Sequence, residues 1–185
     1  MAKKAIGILV GSARRGSFSR QVADILSSLL PDRFALVRVG IADLPMFNQD
    51  YDDDGTTPPE WTDFREKIAA CDAFLFVTPE YNRSVTPLLK NALDIASRPP
   101  GKNVWSGKPG AIVGVSPGSL GAFGSVQHLR QTVGFLGVEL LTQPEVYLSG
   151  IAGLLDDAGA ITNERTLGFL KGFAEAFAAW VDRIA

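Results

Sequence analysis

Hydroxyl and guanidinium groups are concentrated in one short segment, residues 11–20, which reads GSARRGSFSR. Its three serines and three arginines supply hydrogen-bond donors of the kind that a phosphate dianion needs. The segment has neither the Gly-Lys-Ser/Thr of a Walker A loop nor the G-x-G-x-x-G of a dinucleotide fingerprint. Its hydroxyl-rich composition favours a terminal phosphomonoester over a bridging pyrophosphate. The alternative is an ordinary turn whose serines cap a helix, although capping requires only one serine.

Two further segments could complete a site for a phosphorylated ligand. Residues 78–84 read TPEYNRS, and residues 116–124 read SPGSLGAFG. Pro79 and Tyr81 offer apolar surface, while the backbone amides of residues 80–82 can donate to ring heteroatoms. Gly118 and Gly121 permit a ligand to approach the backbone closely. Together the three segments predict a site for a planar group that carries a phosphate.

The elements that must position these segments alternate regularly along the chain. Apolar runs predict strands at residues 4–10, 34–39, 73–78 and 110–115, and a fifth within residues 139–148 that Pro144 interrupts. Helical patterns lie between them at about residues 18–30, 60–71, 84–97, 122–136 and 163–183. This alternation predicts an α/β three-layer sandwich, a parallel sheet with helices on both faces. Five strands favour the flavodoxin-like order 2-1-3-4-5, which places the ligand outside the carboxyl ends of the first and third strands.

Length and composition limit the classes of function. The 185 residues predict a single domain, 1–185, and a net charge of −2 gives no electrostatic support to a nucleic-acid partner. The single cysteine, Cys71, excludes an internal disulfide and fits a reducing compartment, and its apolar neighbours predict burial. No signal peptide or membrane-length apolar stretch is apparent, so we expect a cytoplasmic protein without a membrane partner. One histidine and one cysteine predict no metal site.

One loop, residues 41–59, is too long to be a simple connection. It carries the acidic run DYDDDG at residues 50–55. The sequence leaves three interpretations open: a solvated face, a lid or subunit contact, and a divalent-metal site.

The chain resembles the NAD(P)H-dependent FMN reductase family, which includes quinone, chromate and azo-dye reductases. The motifs that carry the resemblance are G-S-x-R-x-x-S from Gly11, P-E-Y-N-x-S from Pro79, and LKNALD at residues 89–94. The resemblance implies an enzyme that holds FMN and uses NADPH or NADH as co-substrate. It implies a ping-pong cycle in which hydride passes to bound FMN and then to quinones or to chromate, azo dyes or free flavin. It also implies small-molecule acceptors, no catalytic side chain and a homodimer or homotetramer.

The resemblance also implies which residues hold the cofactor. The phosphate contacts fall on Ser12, Arg14, Ser17, Phe18 and Ser19, where Ser19 departs from the Asn that is common in the family. The isoalloxazine contacts fall on Pro79, Glu80, Tyr81, Asn82, Arg83 and Ser84, with Ser116 and Gly118 on the other side of the ring. Glu80 is expected to contribute mainly its backbone. On charge alone, Arg15, Arg20 and Arg83 are candidates for the 2′-phosphate of NADPH.

Two other functions are compatible with the same phosphate loop. A flavodoxin-type electron carrier would hold FMN without NAD(P)H activity, but such carriers have Thr-rich loops and strongly acidic docking surfaces. A phosphate-ester hydrolase or nucleotide-binding regulator would need a nucleophile, and the loop contains no cysteine.

Overall fold

Six parallel strands form the sheet in the computed structural model, which describes residues 2–185. They are β1 (Lys4–Val10), β2 (Phe34–Arg38), β3 (Ala73–Thr78), β4 (Pro109–Val115), β5 (Glu139–Leu140) and β6 (Val146–Leu148). The order is β2-β1-β3-β4-β5, and β6 also pairs with β4. The predicted flavodoxin-like fold is therefore confirmed. The predicted fifth strand is two short strands, because Pro144 has no N–H to donate to the ladder.

Six α-helices accompany the strands within residues 2–185. They are α1 (Phe18–Leu29), α2 (Asp50–Asp53), α3 (Pro59–Ala69), α4 (Pro87–Ala96), α5 (Phe123–Phe135) and α6 (Glu164–Ile184). Helix α4 begins later than predicted, because Thr86 is extended and Pro87 takes the first helical position. Helix α2 lies inside the long loop and was not predicted. Within the same residues, no helix combines the length and apolar character that crossing a membrane requires.

Two hydrophobic clusters hold the helices on opposite faces of the sheet. Helices α1 and α6 cover one face, where Val22, Leu26 and Phe177 pack on Ile6 and Leu75. Helices α3, α4 and α5 cover the other face, where a second cluster includes Trp61, Phe74, Phe76, Leu93 and Trp105. Every residue of β3 is buried, as expected for a central strand with helices on both sides. Cys71 is 3% exposed, as predicted.

The acidic run is not simply a solvated face, because Asp52 points into the protein. Its carboxylate receives hydrogen bonds from both terminal nitrogens of Arg65, at 2.8 and 2.6 Å, and from the Thr57 hydroxyl at 2.9 Å. The Asp52 side chain is only 6% exposed. Within residues 2–185, no three His, Cys, Asp or Glu side chains converge as a metal site would require. The pair thus anchors the long loop on α3.

Asn91 of α4 holds the same loop from a second direction. Its side-chain oxygen accepts from the Phe47 N–H at 2.8 Å, and its nitrogen donates to the Pro45 carbonyl at 3.2 Å. Asp94 binds Lys90 one turn earlier on α4, at 2.7 Å. Both side chains therefore have structural partners within the fold.

Candidate cofactor site

A cavity of about 240 Å³ opens at the carboxyl ends of β1, β3 and β4. The three loops singled out in the sequence all reach it, because parallel neighbouring strands end at the same edge of the sheet. It is lined by Ser12, Arg14, Ser17, Phe18, Ser19, Pro79, Glu80, Tyr81, Val115, Ser116 and Pro117.

One end of the cavity is the N-terminus of α1. Ser17 is the N-cap, and its hydroxyl accepts a hydrogen bond from the Arg20 N–H at 3.3 Å. The backbone N–H groups of residues 15–19 donate no hydrogen bond within residues 2–185. The positive end of the helix dipole adds to these free donors, so this end is suited to an anion. The Arg14 guanidinium lies 5.3 Å from the centre of the Phe18 ring, at the rim.

Ser19 carries a polar group that the protein itself leaves unsatisfied. The residue is only 2% exposed, lines the cavity, and its hydroxyl has no hydrogen-bond partner within residues 2–185. The hydroxyl oxygen itself is not sealed from solvent, so a ligand or water in the cavity can bind it. Ser12, 9% exposed, accepts from the Arg14 N–H at 3.4 Å and can still donate. The free amides and these hydroxyls fit the phosphate of FMN, which the fold family implies here.

Gly11 is part of the site in a way that sequence reasoning missed. Its N–H donates to the Val77 carbonyl at 2.9 Å, which fixes the loop to β3. A Cβ atom at this position would lie 2.7 Å from Cδ1 of Leu89 and 2.8 Å from Oγ1 of Thr86. The absence of a side chain therefore lets α4 pack directly beneath the phosphate loop.

The second loop ends in a tight turn at the mouth of the cavity. Tyr81 and Ser84 exchange backbone hydrogen bonds of 3.1 and 3.0 Å, and the two residues between them have positive φ. Asn82 has a φ of 51° and Arg83 a φ of 66°, the conformation of a type I′ turn. Tyr81 is 48% exposed, so it is not a core residue. The turn presents its ring beside the cavity.

Helix α5 holds this loop in place. The Glu80 carboxylate accepts from the Gly124 N–H at 2.7 Å and from the Ser125 N–H at 3.2 Å. The buried hydroxyls of Thr78 and Ser125 lie 2.8 Å apart, and Oγ of Ser84 lies 3.0 Å from Nδ1 of His128. The side chain of Glu80 thus binds the helix, whereas the sequence led us to expect mainly a backbone contribution.

The third loop closes the cavity from the β4 side. Oγ of Ser116 accepts from the Gly118 N–H at 3.0 Å, which shapes the turn. Gly121 lies so close to Tyr147 that a Cβ atom would be 2.6 Å from the Tyr147 carbonyl carbon. Burial raises the pKa of the Tyr147 phenol, the neighbouring Glu145 raises it further, and the hydroxyl accepts from Gln127 at 2.7 Å. Tyr147 is therefore a neutral support beneath the loop.

The structure brings most of the predicted site residues together, but not all. Asn82, Arg83 and Ser84 shape the turn without lining the cavity, and Gly118 also lies outside its lining. Val115 and Pro117 line it although the sequence did not single them out. Val115 is the last residue of an apolar strand, so the sequence pattern predicts only that it is buried in the core.

Comparison with known proteins places the fold and sequence in one family. A family model described as NADPH-dependent FMN reductase matches residues 5–153. A quinone reductase of Pseudomonas putida is 49% identical over 177 residues, covering 95% of this chain and 94% of the relative. A 2-hydroxy-1,4-benzoquinone reductase of a Burkholderia species is 46% identical over 176 residues, covering 95% of each.

A solved structure agrees with these relatives. FerB, a flavoenzyme NAD(P)H:(acceptor) oxidoreductase from Paracoccus denitrificans, superposes with a TM-score of 0.91 at 36% identity, covering 98% of both chains. The family match extends through all three loops that meet at the cavity. The chain therefore belongs to the NADPH-dependent FMN reductase family.

Proposed function

We propose that this chain is an FMN-dependent NAD(P)H:quinone oxidoreductase, one FMN-binding domain over residues 1–185. One observation carries the proposal: a single cavity joins the free donors at the N-terminus of α1 to an apolar end beside Pro79, Tyr81 and Pro117. A phosphate at one end and a flat ring at the other match FMN. The relatives named quinone reductases, 49% and 46% identical, support a quinone as the acceptor.

The phosphate is bound in this proposal by Ser12, Arg14, Ser17 and Ser19 together with the free amides of residues 15–19. Arg14 supplies a guanidinium charge and the helix dipole adds a partial positive charge. Phe18 lies beside them and excludes water from one side. The ring contacts that we propose are Pro79, Glu80, Tyr81 and Ser116 from the lining, with Asn82, Arg83, Ser84 and Gly118 shaping the loops that carry them.

The protein has little acid–base chemistry to perform at this site. Bound FMN supplies the hydride-transfer chemistry between nicotinamide and acceptor. Among the lining side chains, the Glu80 carboxylate is engaged by the N–H groups of Gly124 and Ser125, and Arg14 stays charged at the phosphate end. The remaining task of the residues is to bind, orient and present one open face to small flat molecules. This arrangement supports hydride transfer without a catalytic side chain.

Three further properties belong to the proposal. We place the enzyme in the cytoplasm, since its one cysteine fits a reducing compartment. We expect a homodimer or homotetramer, with small-molecule acceptors as its partners. The electron-carrier alternative is not favoured, because the curated relatives carry the names of reductases.

The test is a visible absorption spectrum of the FMN-loaded protein before and after anaerobic addition of NADPH. Loss of the flavin bands, restored by a benzoquinone, is the expected result. A spectrum unchanged by both NADPH and NADH points instead to the electron carrier. Failure to retain or take up FMN contradicts the assignment of the site.

A further inference from the structure

The hydroxyl group of Thr86, the residue just before α4, is buried and has no hydrogen-bond partner. Thr86 is 0% exposed, and its Oγ1 is sealed from solvent without a partner anywhere in residues 2–185. A sealed hydroxyl without a partner costs free energy, and such groups are rare in native proteins. The proposed function gives this hydroxyl no role, since Thr86 lies outside the lining of the FMN cavity.

Helix capping does not explain the hydroxyl of Thr86. The residue is the N-cap of α4 and has an extended backbone, with a φ of −72° and a ψ of 148°, but its side chain forms no capping hydrogen bond. The next residue, Pro87, has no N–H that would need a cap. The Thr86 carbonyl accepts from the Lys90 N–H at 3.1 Å, so the backbone starts the helix without help from the hydroxyl.

The hydroxyl of Thr86 lies instead against the first residue of the phosphate loop. A Cβ atom at Gly11 would be 2.8 Å from Oγ1 of Thr86. Because Gly11 has no side chain, the hydroxyl approaches the main chain of the loop. Gly11 is buried and directly follows β1, so water does not compete for this contact.

The carbonyl of Gly11 is an acceptor without a donor. In the parallel ladder Val10 pairs with Val77, and the Gly11 N–H donates to the Val77 carbonyl at 2.9 Å. The next donor of this ladder would be the N–H of residue 79, but Pro79 has none. No other backbone N–H of residues 2–185 donates to the Gly11 carbonyl. The contact between Gly11 and Thr86 thus joins a residue with an unused acceptor to a residue with an unused donor.

The direction of the Gly11 carbonyl determines where the next amide points. The peptide between Gly11 and Ser12 is trans, so its C=O and N–H point in opposite directions. Thr86 lies beneath the loop at the start of α4, whereas Ser12 lines the cavity. A carbonyl turned toward Thr86 therefore aims the Ser12 N–H into the cavity. This N–H donates no hydrogen bond in the part of the chain that the structure describes.

We propose that Thr86 is a positioning residue for the phosphate of FMN: its hydroxyl donates to the Gly11 carbonyl when the phosphate is bound, and this holds the Ser12 N–H on a phosphate oxygen. The inference rests on the proposed function, which places the phosphate at this loop. The peptide turns as one plane, so the Ser12 N–H reaches the phosphate as the carbonyl reaches the hydroxyl. Thr86 itself does not touch the cofactor and acts through the Gly11–Ser12 peptide.

Two variants separate this role from packing when FMN is compared with riboflavin, which lacks the phosphate. Thr86→Val keeps the shape and removes the hydroxyl, so FMN affinity should fall about fivefold, the effect of one hydrogen bond, while riboflavin affinity stays the same. Urea unfolding of its apoprotein should need the same or more urea, because a methyl group replaces a sealed, unpaired hydroxyl. Thr86→Ser keeps the hydroxyl and loses the methyl group, so it should be less stable yet retain the wild-type preference for FMN. A role in packing alone predicts the reverse pattern.

NMR of the isotope-labelled wild type provides a readout that needs no variant. FMN, but not riboflavin, should move the Gly11 carbonyl carbon and the Ser12 amide proton downfield, as new hydrogen bonds to both groups do. The matched control for the binding measurements is Thr62→Val, at an exposed position of α3, which should leave both affinities unchanged. If the wild type binds neither FMN nor riboflavin, the proposed function and this inference both fail. If the wild type prefers FMN and Thr86→Val keeps the full preference, or FMN leaves both resonances in place, only this inference is wrong.

Discussion

The carboxylate of Glu80 lies at the N-terminus of α5, where its Oε2 accepts a hydrogen bond from the Gly124 N–H at 2.7 Å. Helix α5 has no side-chain cap of its own, because its N-cap residue is Ala122, which adopts a φ of 65°. Glu80 therefore caps a helix that is distant in sequence and in doing so fixes the loop that carries Tyr81. One contact thus connects the stability of α5 with the geometry of the candidate site.

Replacing Glu80 should lower stability and cofactor affinity together. Glu80→Ala leaves two amides at the start of α5 without their acceptor, which should cost about 1–2 kcal/mol of unfolding free energy. Glu80→Gln keeps an acceptor but loses the charge, so its cost should be smaller. Urea unfolding of the apoprotein and FMN titration measure the two effects. Glu175→Gln, on the exposed face of α6, is the control. If Glu80→Ala leaves the FMN affinity unchanged, the cap on α5 does not support cofactor binding.

The Asp52–Arg65 pair should make stability depend on pH. Hydrogen bonds from Arg65 hold the pKa of Asp52 below its usual value of 3.8, burial partly offsets them, and the Thr57 hydroxyl adds to the lowering. Near that pH the folded protein binds fewer protons than the unfolded chain. The pair therefore contributes fully to the unfolding free energy above the pKa that Asp52 has in the unfolded chain. This contribution is lost as the pH falls through the pKa that Asp52 has in the folded protein.

The matching variant is Asp52→Asn, which leaves the largely buried Arg65 without a carboxylate. It should cost about 3 kcal/mol at neutral pH. The difference in unfolding free energy between wild type and variant should become smaller as the pH falls below 3.8, the usual pKa of Asp52. Urea unfolding across this range measures it, with the exposed Asp54→Asn as control. If the difference in unfolding free energy stays constant with pH, the Asp52–Arg65 pair is not its source.

Gly11→Ala should disrupt the packing beneath the phosphate loop. The new methyl group would meet Leu89 at 2.7 Å and Thr86 at 2.8 Å, so either α4 or the loop must move. We expect a loss of about 1–3 kcal/mol and weaker FMN binding. Gly134→Ala in α5 has nothing within 4 Å of its Cβ position and should instead raise stability by up to about 1 kcal/mol. Thermal unfolding of both variants tests the opposite signs.

Arg83→Gly should stabilise the protein. Arg83 adopts a φ of 66°, a conformation that disfavours side chains with a Cβ atom. Relief of this strain should outweigh the added backbone entropy by about 0.5–1 kcal/mol. Asn82→Gly, at a φ of 51°, should gain less because asparagine tolerates this region. If urea unfolding finds Arg83→Gly less stable than wild type, the guanidinium makes contacts worth more than the strain.

Much of the fold follows from apolar patterning. The run that forms β3 is buried throughout, which predicts a strand between two helical layers. The phosphate loop could be found because serines and arginines are concentrated where a strand meets a helix. Both signals lie within short segments, so they can be recognised from the sequence alone.

The remainder depends on contacts between residues that are distant in sequence. Asp52 and Arg65 are thirteen positions apart, and Glu80 and Gly124 forty-four. An acidic run looks solvated unless a buried partner is known, and a glutamate after a strand gives no sign of capping a later helix. Tertiary packing decided both of these features. The late start of α4 is instead local, because Thr86 is extended and Pro87 takes the first helical position.

The two ends of the candidate FMN cavity can be tested separately by comparing FMN with riboflavin, which lacks the phosphate. In the wild type, FMN should bind at least about tenfold more tightly, because the phosphate gains charge-assisted hydrogen bonds at the N-terminus of α1. Arg14→Ala should reduce this FMN preference while changing riboflavin affinity little. Tyr81→Ala should weaken both ligands by a similar factor, since it lies beside the apolar end.

Ser19→Ala provides a second test of the phosphate end of the cavity. Its hydroxyl faces the cavity and forms no hydrogen bond within residues 2–185, so its removal should not lower the stability of the apoprotein. Its FMN preference should nevertheless fall, whereas Arg15→Ala, in the same loop but outside the cavity lining, should retain that preference. Fluorescence titration of both ligands against the four variants measures these ratios. A preference for FMN that survives in both Arg14→Ala and Ser19→Ala means that the phosphate binds elsewhere, and the orientation of the cofactor proposed here is then wrong.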